Sequence, residues 1–571
     1  MESTATQDRP ARPSRLARLE IPAIALLVVA FIGSLWAVRG EPGMTWDEPY
    51  FFERSQSIGG WLGLAARSPA QAFRRAELEK GWPFCREVPD QHPPVPALLG
   101  LMSDRAFGGW LGPLRGYRLA TVGVFAVAAG AMFRFVRMRW GLAPAAVALG
   151  VLVSDPRPFI HAQLITADSD LGAFWFLAAL AHLRATETGR SPWWFGVWAA
   201  LAVMCKATGV LLLLAALAWA ILYRPRGAWR PLFWAILTIP PTMVLVNPAW
   251  WPDPVGGILR WGRAFLAYPQ KVPVYYLGTV YDSVRTFLPW HNTAVLTSTM
   301  VPIGLLILGV LGLAATAWRS IRDRRSRVVR LAGERLPDGV VGGWAAVHFL
   351  TYLVLRMFPF LPAHDGLRQL VPAFYFLPVL AALGACVLLR GGRARAWLGR
   401  CAVAACVLSA SWETVRIHPF EMSYYNAVIG GPRGAKAAGM ETTYFWDSAT
   451  DEVLGWMNAN LPRGATVLIF PPPNVLTFGW EQRWGRLRGD LEILNLDGRD
   501  FGSRLARMGG SRPCYLIFQM RQGLYVQPPG RPNYFARLAE APATYELAPA
   551  RVDGVRLLAI YDRAAFLGVV P

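Results

Sequence analysis

Cysteine is scarce in this chain, with six among 571 residues, and none stands in a CxxC or Cys/His spacing, so no metal-binding or disulfide framework is readable. Cys386, Cys401 and Cys406 lie in or beside apolar runs, where a free thiol behaves as a small hydrophobe. A Cys85–Cys514 bridge stays open, since spacing alone does not establish one. Charge is scarce as well: only 17% of residues are Asp, Glu, Lys or Arg, which argues against a set of ordinary soluble domains. GxxxxGK[ST] is absent, which removes a P-loop, and neither an internal repeat nor a low-complexity tract is visible.

What the chain has instead is apolar surface. Hydrophobic residues make up 54%, the mean hydropathy is +0.30, and 25 tryptophans match the habit of indole rings to gather at the headgroup level of a bilayer. These values describe a polytopic membrane protein. The formal charge of +21 is spread over short clusters between apolar runs and forms no basic face with interleaved aromatics. That pattern fits membrane topology near anionic lipid and excludes a nucleic-acid partner.

Apolar runs fall at approximately 21–38, 118–134, 142–154, 168–184, 193–205, 208–223, 231–247, 294–317, 340–358, 368–389 and 400–413, about eleven spans in all. The first follows Arg9, Arg12, Arg15 and Arg18 and has no clear A-x-A site after it, so it reads as a retained helix and not a signal peptide. Basic clusters, among them Arg134/Arg137/Arg139, Arg224/Arg226/Arg230 and Arg319–Arg335, alternate onto the side of the basic N-terminus. The positive-inside bias makes that side cytoplasmic and places everything after about residue 415 outside it.

Two outward loops are long, roughly 39–117 and 248–293, a length that is uncommon without a function. The first has segments fit for short interfacial helices at Glu48–Ser57, Pro69–Glu79 and Val95–Phe107. The second is rich in Trp, Tyr and Pro and offers Tyr276 (in YYLG) and His291 (in PWHN) as further site candidates. From about 440 onward the pattern becomes that of a small α/β domain. A helix with apolar positions from Val453 to Leu461 lies behind Ser448/Thr450, followed by β-like runs at Thr466–Phe470, Leu491–Leu496, Cys514–Met520 and Val555–Tyr561.

The chemistry-bearing residues collect in outward segments. MTWDEPYFFE (44–53) places Asp47 and Glu48 among aromatics just past the first span, and QHPP (91–94) adds His92. A carboxylate beside a reacting hydroxyl is a general base, although a loop acid ahead of a helix-starting proline has the same pattern. ITADSDLGAF (165–174) puts Asp168 and Asp170 at the mouth of a span, as site acids or as helix caps. Lys206 in CKATG is a candidate phosphate cation or a snorkelling lysine. In HDGLRQLVPAF (364–374), Arg368 suits bidentate phosphate recognition or an ion pair with Asp365, with His364 beside them. GGPRGAKAAG (430–439) reads as a flexible connector.

Taken in order, TWDEP, HPP, ADSDLGAF, KATG, NPAWWPDP, HDGLR and HPFEMSYYN resemble motifs of the integral-membrane glycosyltransferases of the protein O-mannosyltransferase and aminoarabinose-transferase type, which have the GT-C fold. The resemblance covers about residues 20 to 430. It implies the GT-C fold for the α-helical bundle of about eleven transmembrane helices at 21–430, which hydropathy and charge bias set between a basic cytoplasmic N-terminus at 1–20 and a small extracytoplasmic α/β domain at 431–571. It also implies an inner-membrane, inverting transfer of a mannose- or arabinose-like sugar from a polyprenyl-phosphate donor to a hydroxyl of a protein, lipid or glycan. By motif, Asp47 matches the catalytic base, Glu48 its neighbour, Asp168 the acid of a T-D-x-P-L-like stretch, Lys206 and Arg368 the phosphate cations, and His92 the first-loop HPP. Two departures stand out: Asp170 occupies the place of that stretch's proline, and no β-trefoil repeats follow, which leaves the acceptor class open. No cofactor is required. A divalent ion on Asp47 and Asp168 is chemically compatible but not demanded. The rival reading is a lipid or sugar transporter or flippase, against which stand the missing repeat and the gathering of candidate charges at one face.

Overall fold

A computed structural model describes residues 15–82, 92–267, 272–282, 286–325, 335–358, 366–444, 447–471, 474–496, 513–526, 534–545, 547 and 550–569. Cys85, His364 and Asp365 lie outside them. Helices dominate. They include α1 (Arg15–Arg39), α2 (Glu48–Arg67), α3 (Val95–Leu111), α4 (Pro113–Trp140), α5 (Leu142–Ser154), α6 (Asp168–Thr188), α7 (Trp193–Val203), α8 (Leu211–Tyr223) and α9 (Trp229–Leu245). They continue with α10 (Pro254–Leu266), α11 (Ile303–Arg325), α12 (Asp338–Leu355), α13 (Leu377–Leu388) and α14 (Arg393–Ile417).

Every apolar run read from the sequence falls mainly on helix, but not every helix is membrane-length. Leu19–Arg39, Pro113–Trp140, Ile303–Arg322 and Asp338–Leu355 are each long and apolar enough to cross a bilayer. Arg368–Phe374 with Leu377–Leu388 makes a fifth if the two, bent by 45°, form one span. Leu142–Ser154, Trp193–Val203 and Ala207–Tyr223 are apolar but shorter. Prolines cause part of this: Pro302 separates the helix Asn292–Met300 from α11, so that the run 294–317 is two helices.

The bundle core joins α1, α4, α5, α6, α7, α8, α12 and α13 in one cluster, in which Trp175, Trp219 and Trp344 are fully buried. Small residues permit close packing, as where Gly312 of α11 meets Leu380 of α13. The turn between α3 and α4 hinges on Gly112 at φ +80°, a conformation a Cβ disfavours.

The described part of the first loop is mostly helical, with Pro at the first turn of α2, α3 and α4. The second loop carries α10 and a hairpin of β1 (Val274–Tyr276) and β2 (Thr279–Tyr281). The C-terminal part contains α15 (Asp451–Asn460), β3 (Thr466–Phe470), α16 (Val475–Arg483), β4 (Glu492–Asn495), β5 (Cys514–Gln519) and β6 (Leu558–Asp562). The sheet order is β4-β3-β5-β6, parallel except for the last pairing, with apolar clusters on both faces. Cys514 is a free, buried thiol.

This unit is docked on the first loop. Phe52 of α2 is fully buried, with its ring 5.5 Å from Trp480 and 4.9 Å from Trp484, both in or next to α16. Such an aromatic contact adds about 0.5–1.5 kcal/mol per pair beyond area burial. Nearby, the Gly43 N–H donates to the Asp447 carbonyl at 3.0 Å, and a Cβ on Gly43 would stand 2.4 Å from that oxygen. Only glycine fits there.

Candidate active site

Asp47 occupies the N-cap position of α2 but its side chain makes no capping bond, so the carboxylate is available elsewhere. It turns to Arg368, whose Nη2 donates to Asp47 Oδ2. The same guanidinium donates through Nε to Asp168 Oδ2 at 2.8 Å, and Lys206 Nζ donates to Asp168 Oδ1 at 2.6 Å. Four ionisable side chains from four distant segments therefore form one chain, Asp47–Arg368–Asp168–Lys206. Two carboxylates and two cations balance formally, which is how buried charges are tolerated.

The local backbone explains the convergence. Asp168 opens α6 behind Ala167, a non-glycine residue at φ +67°, a left-handed position that costs an L-residue on the order of 1 kcal/mol. Lys206 lies in the break between α7 and the short 3-10 helix Ala207–Val210, and Arg368 opens another 3-10 turn, Arg368–Leu370. Interrupted helices bring charged side chains inward where an unbroken apolar helix would not.

Exposure separates the two acids. The Asp168 side chain is 1% exposed and both of its oxygens are taken, whereas that of Asp47 is 13% exposed and, among the described residues, only its Oδ2 is held. Burial raises the Asp47 carboxyl above the ordinary carboxylate range, opposed chiefly by Arg368. Burial also pulls the Lys206 ammonium below its usual value, against the attraction of Asp168. Among the described residues, no group of three or more His, Cys, Asp or Glu side chains is arranged to hold a metal ion. The positive charge between Asp47 and Asp168 is Arg368.

Glu48 is adjacent in sequence but makes a separate set of contacts. It is fully buried and accepts from Arg118 Nε at 2.8 Å and Nη2 at 2.7 Å, from Thr45 N at 2.9 Å and from Ile165 N at 3.3 Å. Arg118 also donates to the Pro42 carbonyl at 2.7 Å and the Gly43 carbonyl at 3.1 Å. The segment that carries Asp47 is thus clamped to α4 from both sides.

His92 lies at the edge of the cluster with its ring 5.8 Å from that of Phe51. Burial, then the nearby cations Arg54, Lys206 and Arg368, drive its pKa well below the usual value, so the imidazole is neutral at neutral pH. Asp170 points to Thr121 at 3.3 Å, with Oδ1 lacking a hydrogen-bond partner. Neither Asp168 nor Asp170 caps its helix. Tyr276 and His291 pair with each other at 2.8 Å on the second loop, and no contact joins them to Asp47 among the described residues.

Two participants have no clear sequence signal. His161, 1% exposed, is close enough to Asp168, Arg368 and Arg157 to feel their charges, yet no motif contains it. Arg118 stands at the start of an apolar run, where an arginine is expensive unless paired, and that expense is the available signal.

No curated protein matches the chain. Among solved structures, ArnT from Cupriavidus metallidurans is similar at 14% identity in the apo state (TM-score 0.48, 94% of this chain and 98% of that one). Its form bound to undecaprenyl phosphate is similar at 14% identity (TM-score 0.47, 96% and 98%). The archaeal oligosaccharyltransferase AglB from Archaeoglobus fulgidus, in complex with an inhibitory peptide and a dolichol-phosphate, is similar at 10% identity (TM-score 0.43, 89% and 70%). Residues 91–251, the stretch that contains His92, Asp168 and Lys206, match the family described as dolichyl-phosphate-mannose-protein mannosyltransferase.

Proposed function

We propose that this protein is a membrane glycosyltransferase that moves a sugar from a polyprenyl-phosphate carrier to a hydroxyl acceptor, with inversion, at the outward face of an inner membrane. The observation that carries the reading is the chain Asp47–Arg368–Asp168–Lys206, in which the most exposed acid shares a guanidinium with the best-buried one. The family matched by residues 91–251 uses, by its description, a dolichyl-phosphate sugar, which supports the donor class.

In this reading Asp47 takes the proton of the acceptor hydroxyl as its oxygen attacks the anomeric carbon, and the bond to the carrier phosphate breaks on the opposite face. Proximity and a positioned base suffice for such a displacement. Arg368 and Lys206 receive the charge that develops on the leaving phosphate, the kind of preorganised stabilisation worth several kcal/mol. Asp168 holds both cations in place. His92, being neutral, contributes a hydrogen bond and no charge. Glu48 positions Asp47 through Arg118 instead of exchanging protons. About eleven spans, an N-terminus inside and the sheet unit outside complete the arrangement.

Purified protein incubated with labelled polyprenyl-phosphate sugars and hydroxyl acceptors is expected to release carrier phosphate and form a glycoside of inverted configuration. Movement of intact lipid across proteoliposomes without glycosidic cleavage would favour the flippase.

A further inference from the structure

Apart from the acid and cation chain, the fold contains a polar cavity of about 520 Å³. Its walls come from the end of α1 (Val38, Arg39 and the following Gly40, Glu41), the end of α14 with His418–Phe420, and the sheet unit at Thr450–Glu452 and Arg551–Asp553. That volume is the size of a small-ligand site. It lies where a membrane-length helix stops: Leu26 and Leu27 of α1 are 70% and 59% exposed, and Val38 is 81% exposed. Apolar side chains so exposed on a spanning helix face lipid, which sets the cavity at headgroup level.

Most of the charge in the walls is already used. Arg416 holds Asp553 by two bonds, of 2.7 and 3.1 Å, and His418 Nδ1 lies 2.6 Å from Glu421. Asp451 pairs with Arg486, and Glu41 lies within 3.4 to 3.7 Å of Arg115, Arg118 and Arg486. Arg39 and Glu452 are different: each lines the cavity and neither has an ion-pair or hydrogen-bond partner among the described residues. Arg39 is the last residue of the spanning helix, and Glu452 is in the first turn of α15, on the side of the sheet unit. A ligand that satisfies both needs an anion near the bilayer and a hydrogen-bonding cation farther out.

We propose that this cavity binds the phosphoethanolamine headgroup of a membrane phospholipid, with phosphate on Arg39 and the primary ammonium on Glu452. Because its walls belong to α1, α14 and the sheet unit, the bound lipid seams that unit to the bundle. The proposal does not depend on the glycosyltransferase reading. Choline lipids fit it worse, because a quaternary ammonium has no N–H to donate, and glycerol lipids offer Glu452 no cation at all.

The test is native mass spectrometry of the full-length protein in detergent, titrated separately with dioleoyl phosphatidylethanolamine, phosphatidylcholine and phosphatidylglycerol. Phosphatidylethanolamine is expected to be retained about three- to fivefold better than either, the size of one partly exposed ion pair. Glu452→Gln is expected to erase that preference and leave the other two lipids unchanged, while Arg39→Gln weakens all three. Equal retention of the three lipids by the wild type, a preference for phosphatidylglycerol, or a phosphatidylethanolamine preference that survives Glu452→Gln would overturn the proposal. The wild-type comparison stands even if one variant folds poorly.

Discussion

Arg368 and Asp47, 321 residues apart in the chain, are joined by a direct hydrogen bond, and the same guanidinium reaches Asp168. One side chain thereby orients the proposed base and the proposed phosphate site together. Arg368→Lys is expected to be nearly as damaging as Arg368→Ala, because an ammonium cannot span two carboxylates in the fixed geometry of a fork. Turnover of a polyprenyl-phosphate sugar should fall by roughly 10²–10³ in both, the loss typical for a preorganised charge at a reacting centre. Recovery of most activity by lysine would show that only net charge matters.

The pH profile follows from Asp47. Burial raises its carboxyl above the ordinary range, and Arg368 is the main influence holding it down. A base acts when deprotonated, so kcat/KM should be full at high pH and fall as pH drops through an apparent pKa above that of a free aspartate. In Arg368→Gln the residual activity should show that midpoint displaced to higher pH. A displacement to lower pH would assign the titration to another group.

Glu48 and Arg118 should behave as structure. Glu48→Ala removes both charge-assisted hydrogen bonds from the buried Arg118 guanidinium and leaves it only the more distant Glu41, at 3.5 Å, for which up to about 3–5 kcal/mol of stability is the usual loss. Thermal unfolding of the detergent-solubilised variant should show it, with activity lost in proportion. A normally stable Glu48→Ala protein with no turnover would instead place Glu48 in the chemistry.

Asp447 supplies a stability test at the docking seam. Its carboxylate is fully buried without a hydrogen-bond partner on another described residue, and burial pushes its pKa up to about 7. The folded form thus binds this proton more tightly than the unfolded chain, so the contribution to stability is full below the free-aspartate pKa and is lost as pH rises through 7. Asp447→Asn should therefore stabilise the protein at pH 8 by on the order of 1–3 kcal/mol relative to its effect at pH 5. Unfolding midpoints at the two pH values check this. Glu481, also raised to about 7 by burial, retains part of the wild-type slope.

Local patterns are legible where a local cause exists. The strand Thr466–Phe470 is readable to the residue because β-branched and apolar residues run unbroken there, and the helices of the first loop begin where proline opens a first turn. Asp47, Asp168, Lys206 and Arg368 are each visible as charges at the edge of an apolar run. Their partners are not: Glu48 pairs with Arg118 across 70 residues, and no periodicity encodes such a distance. The same limit hides His161, and it leaves the caps at Asp168 and Asp170 undecided, since only the fold shows that Lys206 and Thr121 claim those carboxylates. Hydropathy marks where an apolar run lies but not where its helix ends, so Leu142–Ser154 is legible as an apolar run while its length of 13 residues is not.

Asp47 is the proposed base of a sugar transfer from a polyprenyl phosphate. Its most direct test measures donor binding and glycoside formation side by side for wild type and Asp47→Asn. The Asp47→Asn variant is expected to bind the donor within a few-fold of wild type and to lose turnover by about 10²–10⁴, the usual contribution of a general base. Turnover within a few-fold of wild type would contradict it.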